Sequence, residues 1–208
     1  MALNGREREL RREDLLDDPI RQFAAWYGEA QAEAEALPLP EACALATASR
    51  AGEPSLRMVL LKDVDERGFV FATGYASRKG RDLAENARAA LLFYWHALGR
   101  QVRVEGVAER VSAEESDAIF LARPRDSRIS ALASRQSEPL PSREQLESRV
   151  RELETELAGR EVERPAFWGG YRLVPDAIEF WQHRANRLHV RFLYRRSGES
   201  WELEELQP

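Results

Sequence analysis

The sequence predicts a mainly β, α+β domain: an antiparallel meander or barrel with flanking helices. Three observations lead there. Short segments of alternating apolar and polar residues recur at close spacing, separated by turns such as RAGEP (Arg50 to Pro54) and DERG (Asp65 to Gly68). The helical signals are isolated, and several carry their own N-cap. With 208 residues, 43% hydrophobic and 32% charged, the chain has the length and composition of one globular domain with a sizeable core.

In chain order, residues 1–14 are polar and carry the charge run RERELRREDL, which reads as a flexible N-terminal arm or a lid; residues 15–208 form the single domain. Asp18-Pro19 is an N-cap followed by proline at the first helical position. Ile20, Phe23, Ala24 and Tyr27 follow at helical spacing, so a helix is expected to about Ala36, where LPLP ends it. Strands are expected at Ala42 to Ser49, Ser55 to Lys62 and Phe69 to Thr73. Ser77 opens a helix expected to reach Ala89. Ala90 to Trp95 is a continuous apolar run, fit for a buried strand. Arg100 to Val111 alternates, with Val102 and Val104 on one side and Gln101, Arg103 and Glu105 on the other. Ser112 with Glu115 caps a helix to Leu121, which Arg123-Pro124 interrupts. Ser142 with Gln145 caps another, whose stripe of Leu146, Val150, Leu153 and Leu157 covers a core and stops near Gly159. Strands return at Tyr171 to Leu173, Ala177 to Trp181, Leu188 to Tyr194 and Trp201 to Leu206.

A net charge of −5 argues against a general nucleic-acid or anionic-membrane surface, so a basic cluster here is local and suggests a small anionic ligand. The one cysteine, Cys43, leaves no disulfide framework within the chain and favours a reducing compartment. MALNGREREL lacks the apolar run of a signal peptide, and no stretch approaches membrane-spanning length, so a cytoplasmic protein is expected. The three histidines, His96, His183 and His189, give no zinc spacing with that cysteine, and no metal is expected. The phosphate-loop, dinucleotide, zinc-protease and serine-hydrolase motifs are missing from the sequence.

Basic clusters remain. SRKG (Ser77 to Gly80) starts a helix, where unpaired N–H groups and the positive dipole end favour phosphate; a solvated first turn is the alternative, at a small cost for cations placed against the dipole. RMVLLK (Arg57 to Lys62) sends its two cations to opposite faces of a strand unless a bulge intervenes; two rim charges are the plain alternative. RPRDS (Arg123 to Ser127) is a proline-stiffened turn whose arginines suit phosphate, or a salt-bridged loop around Asp126. Read as a strand, RLHVRF sets Arg187, His189 and Arg191 on one face, where they repel unless an anion lies between them. Anion sites without a protein nucleophile or metal point to a cofactor that carries the chemistry.

The order of RMVLLK, F-x-T-x-x-x-SRKG, W-H-x-L-x-RQV, RPRDS-x-I, S-x-QS, FWGGYRL, EFWQ, RLH-x-RF and LQP, from about Asp18 to Pro208, resembles the pyridoxamine 5′-phosphate oxidase family. The resemblance implies an FMN-binding split barrel of antiparallel Greek-key strands. It implies a homodimer with FMN at the subunit interface. The implied activity is oxidation of pyridoxamine or pyridoxine 5′-phosphate to pyridoxal 5′-phosphate, with O2 as acceptor and release of H2O2. In the implied cofactor site Arg57, Met58, Val59, Leu60, Leu61 and Lys62 line the flavin, Ala72 and Thr73 contact it, and Arg78 and Lys79 hold its phosphate side. Gln101, Gln136, Ser137, Trp181 and Arg191 complete it, some from the partner chain. Lys62, Arg123 and Ser127 take the substrate phosphate. Arg187, Leu188 and His189 contact the substrate, with Arg187 and His189 nearest the chemistry. Two positions depart from the family: Ile119 stands where a tyrosine usually binds the phosphate, and Val190 where aspartate is usual. The alternatives are a same-fold flavin oxidase of the phenazine-biosynthesis type, or a non-enzymatic binder of FMN or pyridoxal phosphate.

Overall fold

The computed structural model describes residues 9–208. Alternating burial builds eight strands: β1 (Ala42–Ala48), β2 (Pro54–Asp65), β3 (Gly68–Gly74), β4 (Arg88–Trp95), β5 (Arg100–Arg110), β6 (Trp168–Gln182), β7 (Val190–Ser197) and β8 (Ser200–Glu205). They pair antiparallel in the order β3-β2-β1-β4-β5-β6-β7-β8, and a further β3–β6 pairing closes the first six into a barrel. The order β4-β1-β2-β3 is a Greek key. β6 makes the barrel split. One edge runs along β5, while the other pairs with β3 through its first half and with β7 through its second.

The expected strands at Tyr171 to Leu173 and Ala177 to Trp181 are one strand, β6. A register shift opposite Glu105 and Gly106 absorbs the extra residue beside Pro175, so the proline's missing N–H falls at the irregularity and leaves the ladder intact. Gly106 is required there, because a Cβ would stand 2.0 Å from the Val174 carbonyl oxygen.

Five helices flank the barrel: α1 (Pro19–Ala32), α2 (Arg78–Glu85), α3 (Ala113–Leu121), α4 (Arg125–Ala133) and α5 (Arg143–Glu156). Asp18 caps α1, accepting from the Ile20 and Arg21 N–H groups. The helix stops at Ala32, short of Ala36. Ser112 and Glu115 form the full capping box on α3, and Ser142 caps α5. α2 ends at Glu85 instead of Ala89, because β4 begins at Arg88 and pairs along β5 from Val107 to Arg100. RPRDS is no free turn: Pro124 is the N-cap of α4, so Arg125, Asp126 and Ser127 form its first turn.

Inside the barrel Phe23 of α1 packs edge-on against Phe69 and Phe93, with ring centroids 4.8 and 4.9 Å away. Burying each such ring stabilises the fold by about 1.5–3 kcal/mol. A second core of Phe120, Ile129, Leu153, Val162 and Trp168 joins α3, α4 and α5 to the start of β6. Of the arm expected over 1–14, residues 1–8 lie outside the described residues. Within residues 9–14, Leu10 is buried and its N–H donates to Gln182 Oε1 at 2.7 Å, while Arg11, Arg12 and Glu13 are exposed. No helix among the described residues is long and apolar enough to cross a membrane.

Candidate active site

Thr47, Arg57, Thr73, Ser77, Lys79 and Asp82 meet where β1, β2 and β3 approach the start of α2. Ser77 caps that helix by accepting from the Gly80 N–H at 3.3 Å. Gly80 carries no side chain because a Cβ would lie 2.2 Å from the Tyr75 carbonyl oxygen, which lets the helix start press against the end of β3. The Arg57 guanidinium donates to Thr47 Oγ1 at 2.7 Å and stands 3.7 Å from Asp82. Lys79 is buried, and its Nζ donates to Thr73 Oγ1 at 3.1 Å. Burial and then the charge of Arg57 push the Lys79 ammonium from its ordinary 10.5 to about 8. Burial likewise lowers Arg57; Asp82 opposes the shift and Arg78 adds to it. Arg57, Arg78 and Lys79 therefore gather at one helix N-terminus with a single carboxylate, Asp82, beside Arg57, an arrangement that favours an added anion.

Beside this cluster lies a cavity of about 520 Å³ lined by Met58, Val59, Leu60, Lys62, Ala72, Thr73, Lys79, Ile119, Ala122, Arg123, Pro124, Ser127, Gln136 and Trp168. The register of β2 on β3 shifts between Leu61 and Asp63. Lys62 lies at that irregularity, on the same side of β2 as Met58 and Leu60, which line the cavity with it. Arg123 reaches in from the α3–α4 junction, with its guanidinium carbon 5.0 Å from the Trp168 ring centroid. Its Nη1 is buried without a hydrogen-bond partner, and burial lowers its pKa. Ile119 lines the same cavity as Lys62, Arg123 and Ser127. Gln136 is tied to β3 through Oε1, which accepts from Thr73 Oγ1 at 2.9 Å and from the Gly74 N–H at 3.1 Å. Ser137 follows it in a left-handed conformation, φ 74°. Leu61 commits its side chain to the barrel core.

The other expected site residues lie elsewhere on the chain. Tyr94, Gln101, Trp181 and Arg191 oppose one another in turn across β4, β5, β6 and β7, so they form one row on the sheet's outer face. The face continues onto β2, where Leu56, Met58 and Leu60 are 69%, 64% and 37% exposed. Arg191 is held by buried Glu179 through two contacts of 2.9 and 3.1 Å, and Glu179 also accepts from Arg103 at 3.1 Å.

The shared strand face of Arg187, His189 and Arg191 is not formed. β7 begins at Val190, and Asn186 and Arg187 adopt left-handed φ of 57° and 61°. Arg187 and Leu188 are exposed in a tight turn before the strand. That turn folds His189 back so that its Nδ1 accepts from the Arg184 N–H at 3.1 Å, with its ring 4.6 Å from Trp181 and 5.3 Å from His183. Desolvation, His183 and Arg187 lower the His189 pKa, so the ring is neutral at pH 7 with its proton on Nε2. The anion beside Arg191 within this chain is Glu179.

Sequence reasoning assigned no role to Thr47 or Asp82, and offered Glu179 only as a carboxylate neutralising the cationic strand face. Glu179 lies inside the motif EFWQ and was readable only as a surface carboxylate, because its burial depends on Arg103 and Arg191 arriving from neighbouring strands.

Comparison with known proteins agrees with this architecture. A family profile described as pyridoxamine 5′-phosphate oxidase matches residues 29–156, and one described as the pyridoxine 5′-phosphate oxidase C-terminal dimerisation region matches residues 168–208. A protein of Rubrobacter xylanophilus named pyridoxine/pyridoxamine 5′-phosphate oxidase is 56% identical over 99% of this chain and 96% of its own length. A protein of the same name from a Cyanothece species is 52% identical over 98% of this chain and 94% of its own. Among solved structures, PhzG from Burkholderia lata in complex with tetrahydrophenazine-1-carboxylic acid superposes with a TM-score of 0.87 at 35% identity, covering 96% of this chain and 98% of that one. A Nostoc punctiforme protein at 18% identity, covering 88% of this chain and 96% of that one with a TM-score of 0.71, shares the fold.

Proposed function

From the premise that this chain belongs to the pyridoxamine 5′-phosphate oxidase family and is an oxidoreductase, we propose that it oxidises pyridoxamine 5′-phosphate and pyridoxine 5′-phosphate to pyridoxal 5′-phosphate, using FMN and O2 and releasing H2O2. The observation that carries the reading is the convergence of Lys62, Arg123 and Ser127 on one cavity, where the buried Arg123 Nη1 has no hydrogen-bond partner. A second anion site, at Arg57, Arg78 and Lys79, adjoins it. Two anion sites beside one cavity suit a cofactor phosphate and a substrate phosphate.

FMN, when bound, supplies the ring that accepts the hydride and later passes the electrons to O2. Arg57, Arg78 and Lys79 neutralise its phosphate, and the start of α2 adds oriented N–H groups. Met58, Val59, Leu60 and Lys62 of β2, with Ala72, Thr73, Gln136 and Ser137, form the walls against the ring. Lys62, Arg123 and Ser127 fix the substrate by its phosphate, which orients the reacting carbon without touching it.

Gln101, Trp181, Arg187, Leu188, His189 and Arg191 lie outside the lining of the 520 Å³ cavity of their own chain. In the homodimer we propose, the outer sheet face of one protomer covers the cavity of the other and brings these residues to it. Exposed Leu56, Met58, Leu60 and Tyr94 support this, since a patch of that kind marks an interaction surface. Arg187 orients the substrate ring. His189, neutral and protonated on Nε2, donates a hydrogen bond to it.

Two observations favour a second reading: the 35% identity to PhzG and an isoleucine at position 119 of the cavity. In that reading the substrate is a ring compound without phosphate. The experiment that tests both is an anaerobic titration of the FMN-loaded protein. Pyridoxamine 5′-phosphate is expected to bleach the flavin absorbance, with peroxide formed when air is admitted. Equal bleaching by unphosphorylated pyridoxamine, or none by either, overturns the phosphate-substrate reading. A colourless protein after added FMN overturns the cofactor reading.

A further inference from the structure

Arg191 is gripped from two directions. Its Nε donates to Glu179 Oε1 at 2.9 Å and its Nη2 to Glu179 Oε2 at 3.1 Å. Its Nη1 donates to the Gln207 carbonyl oxygen at 2.9 Å, and its own carbonyl accepts from the Leu206 N–H at 2.9 Å. Glu179 is itself fixed, since it is buried and also accepts from Arg103 Nη1 at 3.1 Å. Pro208 follows Gln207 and restricts that residue to extended backbone, which keeps its carbonyl on the guanidinium. A guanidinium has five N–H groups in a rigid plane. Three are used here. One on Nη1 and one on Nη2 remain, in a plane held from two sides.

We infer that Glu179 and residues 206–207 are positioning elements for the cofactor: they hold the Arg191 fork so that its two remaining N–H groups meet FMN already oriented. The inference rests on the reading above that Arg191 belongs to the FMN site, and it adds that flavin affinity depends on groups that touch no flavin. A free arginine orders several rotors on binding, whereas a clamped one has already lost them, so the gain appears in affinity. The carboxylate balances the charge of Arg191 without using the N–H groups the cofactor needs.

The test is a set of mutant cycles read as the Kd of the full-length apoprotein for FMN, followed by quenching of flavin fluorescence. The variants are Arg191→Ala, Glu179→Gln and Leu206→Pro, and each of the last two combined with Arg191→Ala. Glu179→Gln removes the charge and one of the two acceptors at nearly constant volume. Leu206→Pro removes the N–H that anchors the segment to the Arg191 carbonyl. Arg191→Ala is expected to weaken binding about tenfold or more, and each positioning variant about three- to tenfold. In the Arg191→Ala background both positioning effects are expected to shrink to less than about twofold, because a residue acting through Arg191 has nothing left to act on. Undiminished effects in that background assign Glu179 and residues 206–207 to the scaffold and overturn the inference. Loss of affinity in Arg191→Ala alone, with both positioning variants at the native Kd, also overturns it while leaving Arg191 at the cofactor. An unchanged Kd in Arg191→Ala overturns the inference together with the reading beneath it. Should Glu179→Gln fail to fold, Leu206→Pro decides by the same comparison.

Discussion

The cations of the cavity and those of the outer sheet face are prepared in opposite ways. Around the cavity Arg123 Nη1 is buried and unpaired and Lys79 donates to a neutral hydroxyl, while Arg57 beside them has Asp82 at 3.7 Å. On the face they are paired, with Arg103 and Arg191 sharing buried Glu179. An unpaired buried cation costs stability and releases that cost when an anion arrives. A paired one costs less to keep and contributes orientation, not a vacant charge. The cavity is therefore built to draw phosphate, and the face to shape a partner surface.

The largest effect that sharpens this contrast belongs to Lys79. Lys79→Ala is expected to weaken FMN binding about tenfold to a hundredfold, since a charge-assisted hydrogen bond contributes roughly 1.5–3 kcal/mol, while turnover of the fully loaded enzyme changes little. A pH series adds a sign. Burial lowers Lys79 from 10.5 to about 8, so between those values the unfolded chain holds more protons than the folded apoprotein. This group's contribution to apoprotein stability is thus least favourable below about pH 8 and improves as pH rises from there to 10.5. A phosphate dianion favours the ammonium, so binding takes up a proton above pH 8 and FMN affinity falls as pH rises. The Lys79→Ala variant is expected to lose both slopes. Retention of either slope places the titration on another group.

Next in size is Arg123. Arg123→Met is expected to raise KM for pyridoxamine 5′-phosphate about tenfold or more and to leave FMN content intact. It is also expected to raise the Tm of the free protein, because methionine fills the space over Trp168 without a buried, unsatisfied N–H. The equivalent change on the paired face, Arg103→Met, strips a partner from buried Glu179 and is expected to lower Tm. If both variants shift Tm in the same direction, the contrast between unpaired and paired cations does not hold.

Most of the fold was legible because its signals are local. Asp18-Pro19, Ser77 and the Ser112/Glu115 box each act within one turn, and the strand alternation reports burial directly. What escaped depends on contacts distant in sequence or on rare backbone. α4 starts at Pro124 without a side-chain cap and buries only Ile129, so its stripe is faint, although a proline just before a helix was a usable signal. β6 runs through Pro175 because a register shift beside Gly106 allows it. The site was harder. RLHVRF alternates like a strand, yet Asn186 and Arg187 turn left-handed, and only the asparagine, a residue tolerant of that region, hinted at it. Lys62 lines the cavity on the side of β2 that its alternation with Met58 and Leu60 implied, while Arg57 turns to Thr47 and Asp82 on the other.

The smallest expected effect lies at position 119, where the contrast can be tested by adding a neutral donor to the cavity. Ile119 lines the cavity with Lys62, Arg123 and Ser127, and its Cδ1 lies 3.2 Å from where a Cβ on Gly170 would stand, so it packs over backbone that has no side chain of its own. Isoleucine donates nothing to a phosphate. Two full charges remain, so the phosphate still binds, and water can satisfy the oxygen that a phenol would have met. A tyrosine there extends a hydroxyl into the cavity and gains at most one hydrogen bond to a charged acceptor, less what that water already supplied. Ile119→Tyr is therefore expected to lower KM for pyridoxamine 5′-phosphate about three- to tenfold and to leave KM for unphosphorylated pyridoxamine nearly unchanged. A matching drop for both substrates means that the ring packs against the substrate body and that the phosphate lies elsewhere. A rise in KM for the phosphorylated substrate alone means that the added ring fills the space the phosphate needs, and that isoleucine is the residue fitted to this cavity.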